Sequence, residues 1–167
     1  MITAPLPHNE AKRLRALRDL LILDTPPEER FDRISSFAAK EFDVPIALVS
    51  LVDQDRQWFK SSFGVEGMHE TPRDISFCGH AVAMAKTLVV PDALKDPRFA
   101  DNPMVIGKPY IRFYAGALLR LPYGQVVGTL CIMDRRPRTF DKLDEVILGG
   151  LRDLVVEELF RREEAVS

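Results

Sequence analysis

The sequence predicts an α+β domain built on an antiparallel sheet of about five to six strands. Three observations carry this. Apolar residues recur three and four apart over 9–23, 25–42 and 139–163, the spacing of helices that bury one stripe. Between them stand short apolar runs bounded by turn residues, which read as strands. The resulting order, ααββ–αβ–loop–ββ–α, lacks the regular strand–helix alternation of a parallel sheet. No linker or internal repeat interrupts it.

The first helix, 9–23, places Leu14, Leu17 and Leu21 on one side, with Arg13, Arg15, Arg18 and Asp19 between them. It stops at Asp24-Thr25-Pro26-Pro27. Thr25 can cap the next helix, Pro26 stands where a missing N–H is harmless, and Glu28 completes a capping box. That helix runs to about Phe42 with Phe31, Ile34, Phe37 and Ala38 on its apolar face. PIALVSLV at 45–52 reads as a central strand covered on both faces. After the turn at 53–55, residues 56–63 alternate as a second strand, and 66–74 reads as a polar loop. SFCGHAVAMAK at 76–86 is a short helix, 87–90 a strand fragment, and 92–109 a turn-rich excursion. Two strands at 111–121 and 126–133 form a hairpin over 122–125. Thr139 or Asp141 opens the last helix, on which Leu143, Ile147, Leu151, Val155 and Leu159 are to cover the sheet.

Composition narrows the function. The 167 residues carry 23 basic and 25 acidic side chains, interspersed, for a net charge of -2. Nucleic acid is therefore not an expected partner, because phosphate binding needs a basic face. No run of apolar residues is long enough to cross a bilayer, so no membrane insertion is expected. The N-terminus lacks the apolar stretch of a signal peptide, and two cysteines suit a reducing compartment, so the expected location is cytoplasmic. His8, His69 and His80 are scattered and form no zinc-type ligand pair, so no metal is expected.

Several strings together resemble one family: FDRI at 31–34, VPIALVSLVD at 44–53, RQWFKS at 56–61, SFCGHA at 76–81, VVPDALKDPRF at 89–99, RFYAGALL at 112–119 and GTLCIMD at 128–134. They resemble the GAF domains of bacterial sensory proteins, in the subgroup found alone or preceding histidine kinase or GGDEF diguanylate cyclase modules. The resemblance runs from Phe31 to about Leu159. It implies a GAF/PAS-like sheet with the N- and C-terminal helices on one face and a loop and short-helix pocket on the other. Residues 1–24 form a tail and helix, and 25–163 the domain. It implies a non-catalytic sensor for an unidentified small molecule or partner, acting on a kinase or cyclase output in cis or in trans, since this sequence carries no signature of either. No particular cofactor is implied. Cys78 and His80 are separated by Gly79 without the surrounding bilin motif, the NKFDE motif of cyclic-nucleotide-binding relatives is absent, and two thiols do not reproduce the cysteine set of free methionine sulfoxide reductases.

The candidate pocket follows from these placements. Ser76 can cap the short helix and leave the N–H groups of 77–79 to meet an anionic or carbonyl ligand. Cys78 and His80, two apart on a helix, point to different faces. Asp92, Arg98 and Phe99 come from the excursion; Arg112 and Tyr114, two apart, share a strand face. Trp58 offers an aromatic wall beside Phe77. Two rival readings stand beside the sensor: a thiol-dependent redox enzyme or sensor on Cys78 with Cys131 as its partner, and a dimerisation scaffold whose pocket is filled by side chains. In all of them a homodimer is expected through the last helix. There Val146, Leu154 and Phe160 widen the stripe, and Glu157, Glu158, Arg161, Arg162, Glu163 and Glu164 read as flanks of a helix seam.

Overall fold

The computed structural model describes the backbone of residues 1–65 and 67–166, and their side chains as far as 161. Six antiparallel strands form one sheet: β1 (Ile46–Val52), β2 (Arg56–Phe63), β3 (Glu70–Pro72), β4 (Leu88–Val90), β5 (Phe113–Arg120) and β6 (Val126–Asp134). Their spatial order is β3-β2-β1-β6-β5-β4. The two longest apolar strings, β1 and β6, lie at the centre and pair with each other, while three-residue strands close the edges. The segment 66–74, read as loop, contains β3 and a 3-10 turn at Arg73–Ile75.

Three helices cover one face: α1 (Glu10–Asp19), α2 (Glu29–Phe42) and α5 (Lys142–Val166). Residues 1–24 are not separate from this core, since Leu17, Leu20 and Ile22 are buried with Phe31, Val49 and Leu130. The opposite face carries α3 (Phe77–Met84), the 3-10 turn Ala93–Lys95 and α4 (Pro103–Ile106) over Ile46, Leu48, Tyr114 and Cys131. Asn102 fixes the excursion, with Oδ1 accepting from Met104 N and Nδ2 donating to Ile75 O at 2.8 Å.

Four expectations are corrected. Helix α1 ends at Asp19 rather than 23, because Leu21 takes a left-handed backbone, φ 52°. Helix α2 starts at Glu29 with no capping box: the Thr25 hydroxyl donates to Ile22 O, and Glu28 pairs with Lys60 instead. Phe37 is 53% exposed, since Phe31, Ile34, Ala38 and Phe42 define the buried face. Strand β2 does not alternate in burial; residues 57–61 are all buried because helices cover one side and the β3 corner the other.

In α5, Asp141 is the cap, exchanging hydrogen bonds with Asp144 at 2.8 and 2.9 Å. The buried stripe is Leu148, Val155 and Leu159, with Ile147 and Leu151 partly covered. Leu143, expected on the sheet, is 66% exposed, because the helix meets the sheet only from its second turn onward. The charges at 162–164, expected as seam flanks, lie outside the residues whose side chains are described.

Helix α1 is held by charge as well as by leucines. Arg13 is 1% exposed; its Nη1 donates to Val52 O at 2.7 Å and its Nε to Glu10 Oε1 at 2.6 Å. Glu10 also pairs with Arg73, whose Nη1 donates to Asp53 O. Burial raises the Glu10 carboxyl, but the hydrogen bonds from Arg73 and Arg13 outweigh it and hold the group below its usual 4.5. A carboxyl lowered in the folded state stabilises above its unfolded value, and that contribution is lost as pH falls through the folded one. Glu10→Gln should therefore lower the urea midpoint at pH 7, and the gap from the parent should shrink below about pH 4.5. A gap that is constant from pH 7 to 3 would remove this role from Glu10.

Candidate functional site

Part of the candidate set, Phe77, Cys78, Phe99 and Tyr114, converges where α3 crosses the sheet above β1, β5 and β6. Ser76 caps α3: its Oγ accepts from Gly79 N at 2.9 Å and donates to Arg73 O at 2.7 Å. Gly79 lies against the N-terminal segment. A Cβ there would meet Ala4 Cβ at 3.0 Å and Ser76 Oγ at 2.7 Å, so residue 79 must be bare. The first turn of α3 is thus engaged by its own cap and overlaid by Ala4, and does not offer the open anion site expected from the sequence. His80 Nε2 donates to Ile2 O at 2.9 Å, and Ile2 N to Arg98 O at 3.2 Å. Burial lowers the His80 value and the Arg98 charge adds to this, while the Ile2 carbonyl opposes both. The imidazole is therefore held neutral at pH 7, turned away from Cys78.

Aromatic rings fill the space under α3. Phe77 is stacked between Phe99, at 4.2 Å between centroids, and Tyr114, at 5.1 Å. His80 meets the Phe99 ring edge-on at 4.8 Å. Phe77, Phe99, Tyr114 and His80 are therefore brought together as the sequence suggested. The others are not. Trp58 lies on the opposite face of the sheet, among the residues under the long helices, because it pairs with Leu51 and shares that residue's orientation. Arg112 precedes β5 and donates to Val105 O at 2.7 Å and to Ile111 O at 3.1 Å, so it pins the excursion and lines no site with Tyr114. Asp92 caps the 3-10 turn through Leu94 N. Arg98 forms a two-point pair with Asp96 and lies 5.2 Å above the Phe99 ring. Asp92 and Arg98 face an outer cleft of about 480 Å³ with Lys95 and Pro97.

Below the rings sits a polar cluster inside the apolar core. Cys78 Sγ lies 3.0 Å from Thr129 Oγ1, 3.1 Å from Tyr114 Oη and 3.9 Å from Cys131 Sγ. Ser50, opposite Thr129 across β1 and β6, has a buried hydroxyl with no hydrogen-bond partner of good geometry among the described residues, though it lies near enough to bear on the Cys78 thiol. All five residues are fully buried. Gly116 makes room for the cluster: a Cβ there would lie 2.2 Å from Tyr114 Oη. Burial pushes the Cys78 thiol up, but the hydrogen bonds from Cys131, Thr129 and Tyr114 outweigh it and bring the thiol down to about 7. Burial pushes Cys131 well above its ordinary value, and Cys78 adds to this. Tyr114 is likewise raised well above its ordinary value, by burial first and then by the two thiols. The sequence reading missed Ser50, Thr129 and Gly116. The signal was present, since Ser50 is the single polar residue of β1 and Thr129 interrupts the apolar run of β6 ahead of its terminal Asp134.

Among the described residues, no group of three or more His, Cys, Asp or Glu is placed to hold a metal ion. No helix among them is long and apolar enough to cross a membrane.

A family model for the GAF domain matches residues 26–159. A cyclic di-GMP phosphodiesterase of Pseudomonas aeruginosa is 44% identical over 138 residues, which is 83% of this chain and 23% of that protein. The chain thus spans less than a quarter of that curated relative. The GAF domain of an Acinetobacter phosphoenolpyruvate-protein phosphotransferase superimposes with a TM-score of 0.66 at 16% identity, covering 92% of this chain and 96% of its own. A free methionine-R-sulfoxide reductase from Neisseria meningitidis, solved with its substrate, gives 0.66 at 17% identity over 100% of both chains. At these identities the likeness to solved structures is one of fold, and that fold is the α+β one the sequence implied.

The crowding at residue 116 is directly measurable. Gly116→Ala should destabilise by about 1–3 kcal/mol, as overpacking does. The same change in a Tyr114→Phe background should cost less, because the nearest clashing atom is gone. Equal costs in the two backgrounds would show that the tyrosine hydroxyl does not occupy this place.

Proposed function

This chain belongs to the GAF family, and on that premise we propose that it is a regulatory module without catalysis of its own, acting on an output that handles cyclic di-GMP. The kinship with a cyclic di-GMP phosphodiesterase favours that output over a histidine kinase. In this reading residues 25–163 form the working unit in the cytoplasm, with 1–24 packed on it. The output module lies in cis or in trans.

The observation that carries the reading is an unpartnered apolar strip on α5. Leu143 and Val146 are each 66% exposed and Leu154 is 47% exposed, on the side of the helix away from Leu148 and Val155. Phe37, on the neighbouring α2, is exposed as well. An apolar strip of this kind is costly in water and marks a surface that meets a protein. We assign it to a homodimer in which the α5 helices of two copies pack side by side. A small molecule bound on the opposite face, in the outer cleft lined by Asp92, Lys95 and Arg98, would bias that seam through the sheet. The filled space under α3 also supports a second reading, a dimerisation scaffold with a vestigial pocket.

Two measurements separate these. Light scattering at micromolar concentration should give a dimer, and Val146→Ser with Leu154→Ser should give a folded monomer by circular dichroism. A monomeric parent would end the dimer assignment. Thermal melting against nucleotides, cyclic dinucleotides and amino acids tests the pocket. At a hundredfold excess over Kd a true ligand stabilises by about 2.7 kcal/mol. A dimer that no such compound stabilises leaves the scaffold reading as the correct one.

A further inference from the structure

The two thiols of the chain come from distant parts of the sequence and meet under α3. Cys131 sits in β6, which is hydrogen-bonded on both sides, to β1 and to β5. Cys78 sits in an eight-residue helix that ends at Ala85 in a left-handed conformation. Their sulfurs are 3.9 Å apart. The surroundings are unusual for thiols that merely fill space. Cys78 Sγ lies within hydrogen-bond distance of both the Tyr114 and the Thr129 hydroxyls. Two hydroxyls and a second thiol thus converge on one sulfur in an otherwise apolar core, and a sulfur so surrounded can carry negative charge without a neighbouring cation.

We propose that Cys78 and Cys131 form an oxidisable dithiol, a modification site at which a hydroperoxide converts them to an intramolecular disulfide. The Cys78 thiolate attacks the terminal peroxide oxygen; the O–O bond breaks, a sulfenic acid forms on Cys78, and the alkoxide leaves and takes up a proton as alcohol, or as water from hydrogen peroxide. The Cys131 sulfur then attacks Cys78 Sγ; the S–O bond breaks, the S–S bond forms, and the hydroxide leaves with the Cys131 proton as water. Two thiols lose two electrons in all, and one peroxide gains them. The lowered value of Cys78 supplies thiolate near neutral pH, and the raised one of Cys131 makes its attack the slower step, its proton leaving with the displaced hydroxide as water.

Bond formation requires the sulfurs to close from 3.9 Å to about 2.05 Å. Because β6 is locked in the sheet, α3 makes the movement. It carries Phe77 and His80, so closure would shift the ring stack on Phe99 and the tie to Ile2. Both sulfurs are fully buried, and hydrogen peroxide is small enough to reach them when the short helix opens locally.

The test treats the reduced full chain with hydrogen peroxide, then denatures it in N-ethylmaleimide and weighs it intact. The expected product takes up no maleimide, is lighter than the reduced chain by about 2 Da, and returns to two alkylatable thiols with dithiothreitol. Its digest should contain one peptide pair linking Cys78 to Cys131. Cys131→Ala should stop at a sulfenic acid on Cys78 that dimedone traps, and Cys78→Ala should leave Cys131 fully alkylatable. Tyr114→Phe should slow the peroxide reaction several-fold. Two maleimides on the peroxide-treated parent, a disulfide between chains, or oxidation of Cys131 in Cys78→Ala would each overturn the proposal.

Discussion

The central strands are apolar on both faces, so the sheet has to be covered twice. On one side this is done by three helices supplied from the two ends of the described chain, among them the 25-residue α5. On the other side the chain has only an eight-residue helix, a four-residue helix and turns to offer. Regular structure cannot fill that layer, and side chains do so instead. Phe99, Phe77 and Tyr114 form a continuous stack from the excursion to the sheet, each buried ring contributing about 1.5–3 kcal/mol. The excursion is ordered because it delivers Phe99 and Val105 to this layer, while Asn102 ties its middle to Ile75 O and Arg112 holds Val105 O.

Charge in this molecule serves mainly to fasten elements whose apolar contacts are few. Arg13, Glu10 and Arg73 join α1 to the β1–β2 turn and to the turn before α3. Lys60, buried in β2, bonds to Thr25 Oγ1, Pro26 O and Glu28, and so fixes the link between α1 and α2. Asp134, at the end of β6, receives Arg138, which in turn donates to Phe42 O and Asp43 O at the end of α2. Buried ions of this kind are paired and bonded to backbone, which is the condition under which burial of charge is tolerated. Their use as fasteners explains why residues that looked like ligand contacts in the sequence, Arg98 and Arg112 above all, are already committed.

The polar cluster around Cys78 departs from this economy. Its five members carry no formal charge while the thiols stay protonated. Gly116 gives up a side chain so that the Tyr114 hydroxyl can sit there. A core that needed only to be filled would place apolar atoms at these positions, since an unpartnered hydroxyl such as that of Ser50 costs stability. This cost is the physical ground for regarding the cluster as a site.

The sequence by itself determined the long elements and the antiparallel class, because hydrophobic period is a local property: 3.6 over α2 and α5, mostly apolar runs at β1 and β6. It also placed Ser76 as a cap and Phe77, Phe99 and Tyr114 as candidate ring neighbours. Local pattern was silent wherever the answer depended on which face a strand or helix turns to the core. Trp58 went to the wrong side because strand parity is fixed by pairing with Leu51, a partner that lies in another strand. Phe37 and Leu143 were placed inside because an apolar residue beside a stripe is indistinguishable from one within it until the neighbouring element is in place. The approach of Cys78 to Cys131, 53 residues apart, follows from α3 lying across β6. Such a meeting is set by packing of the whole second layer, so only the tertiary structure could decide it.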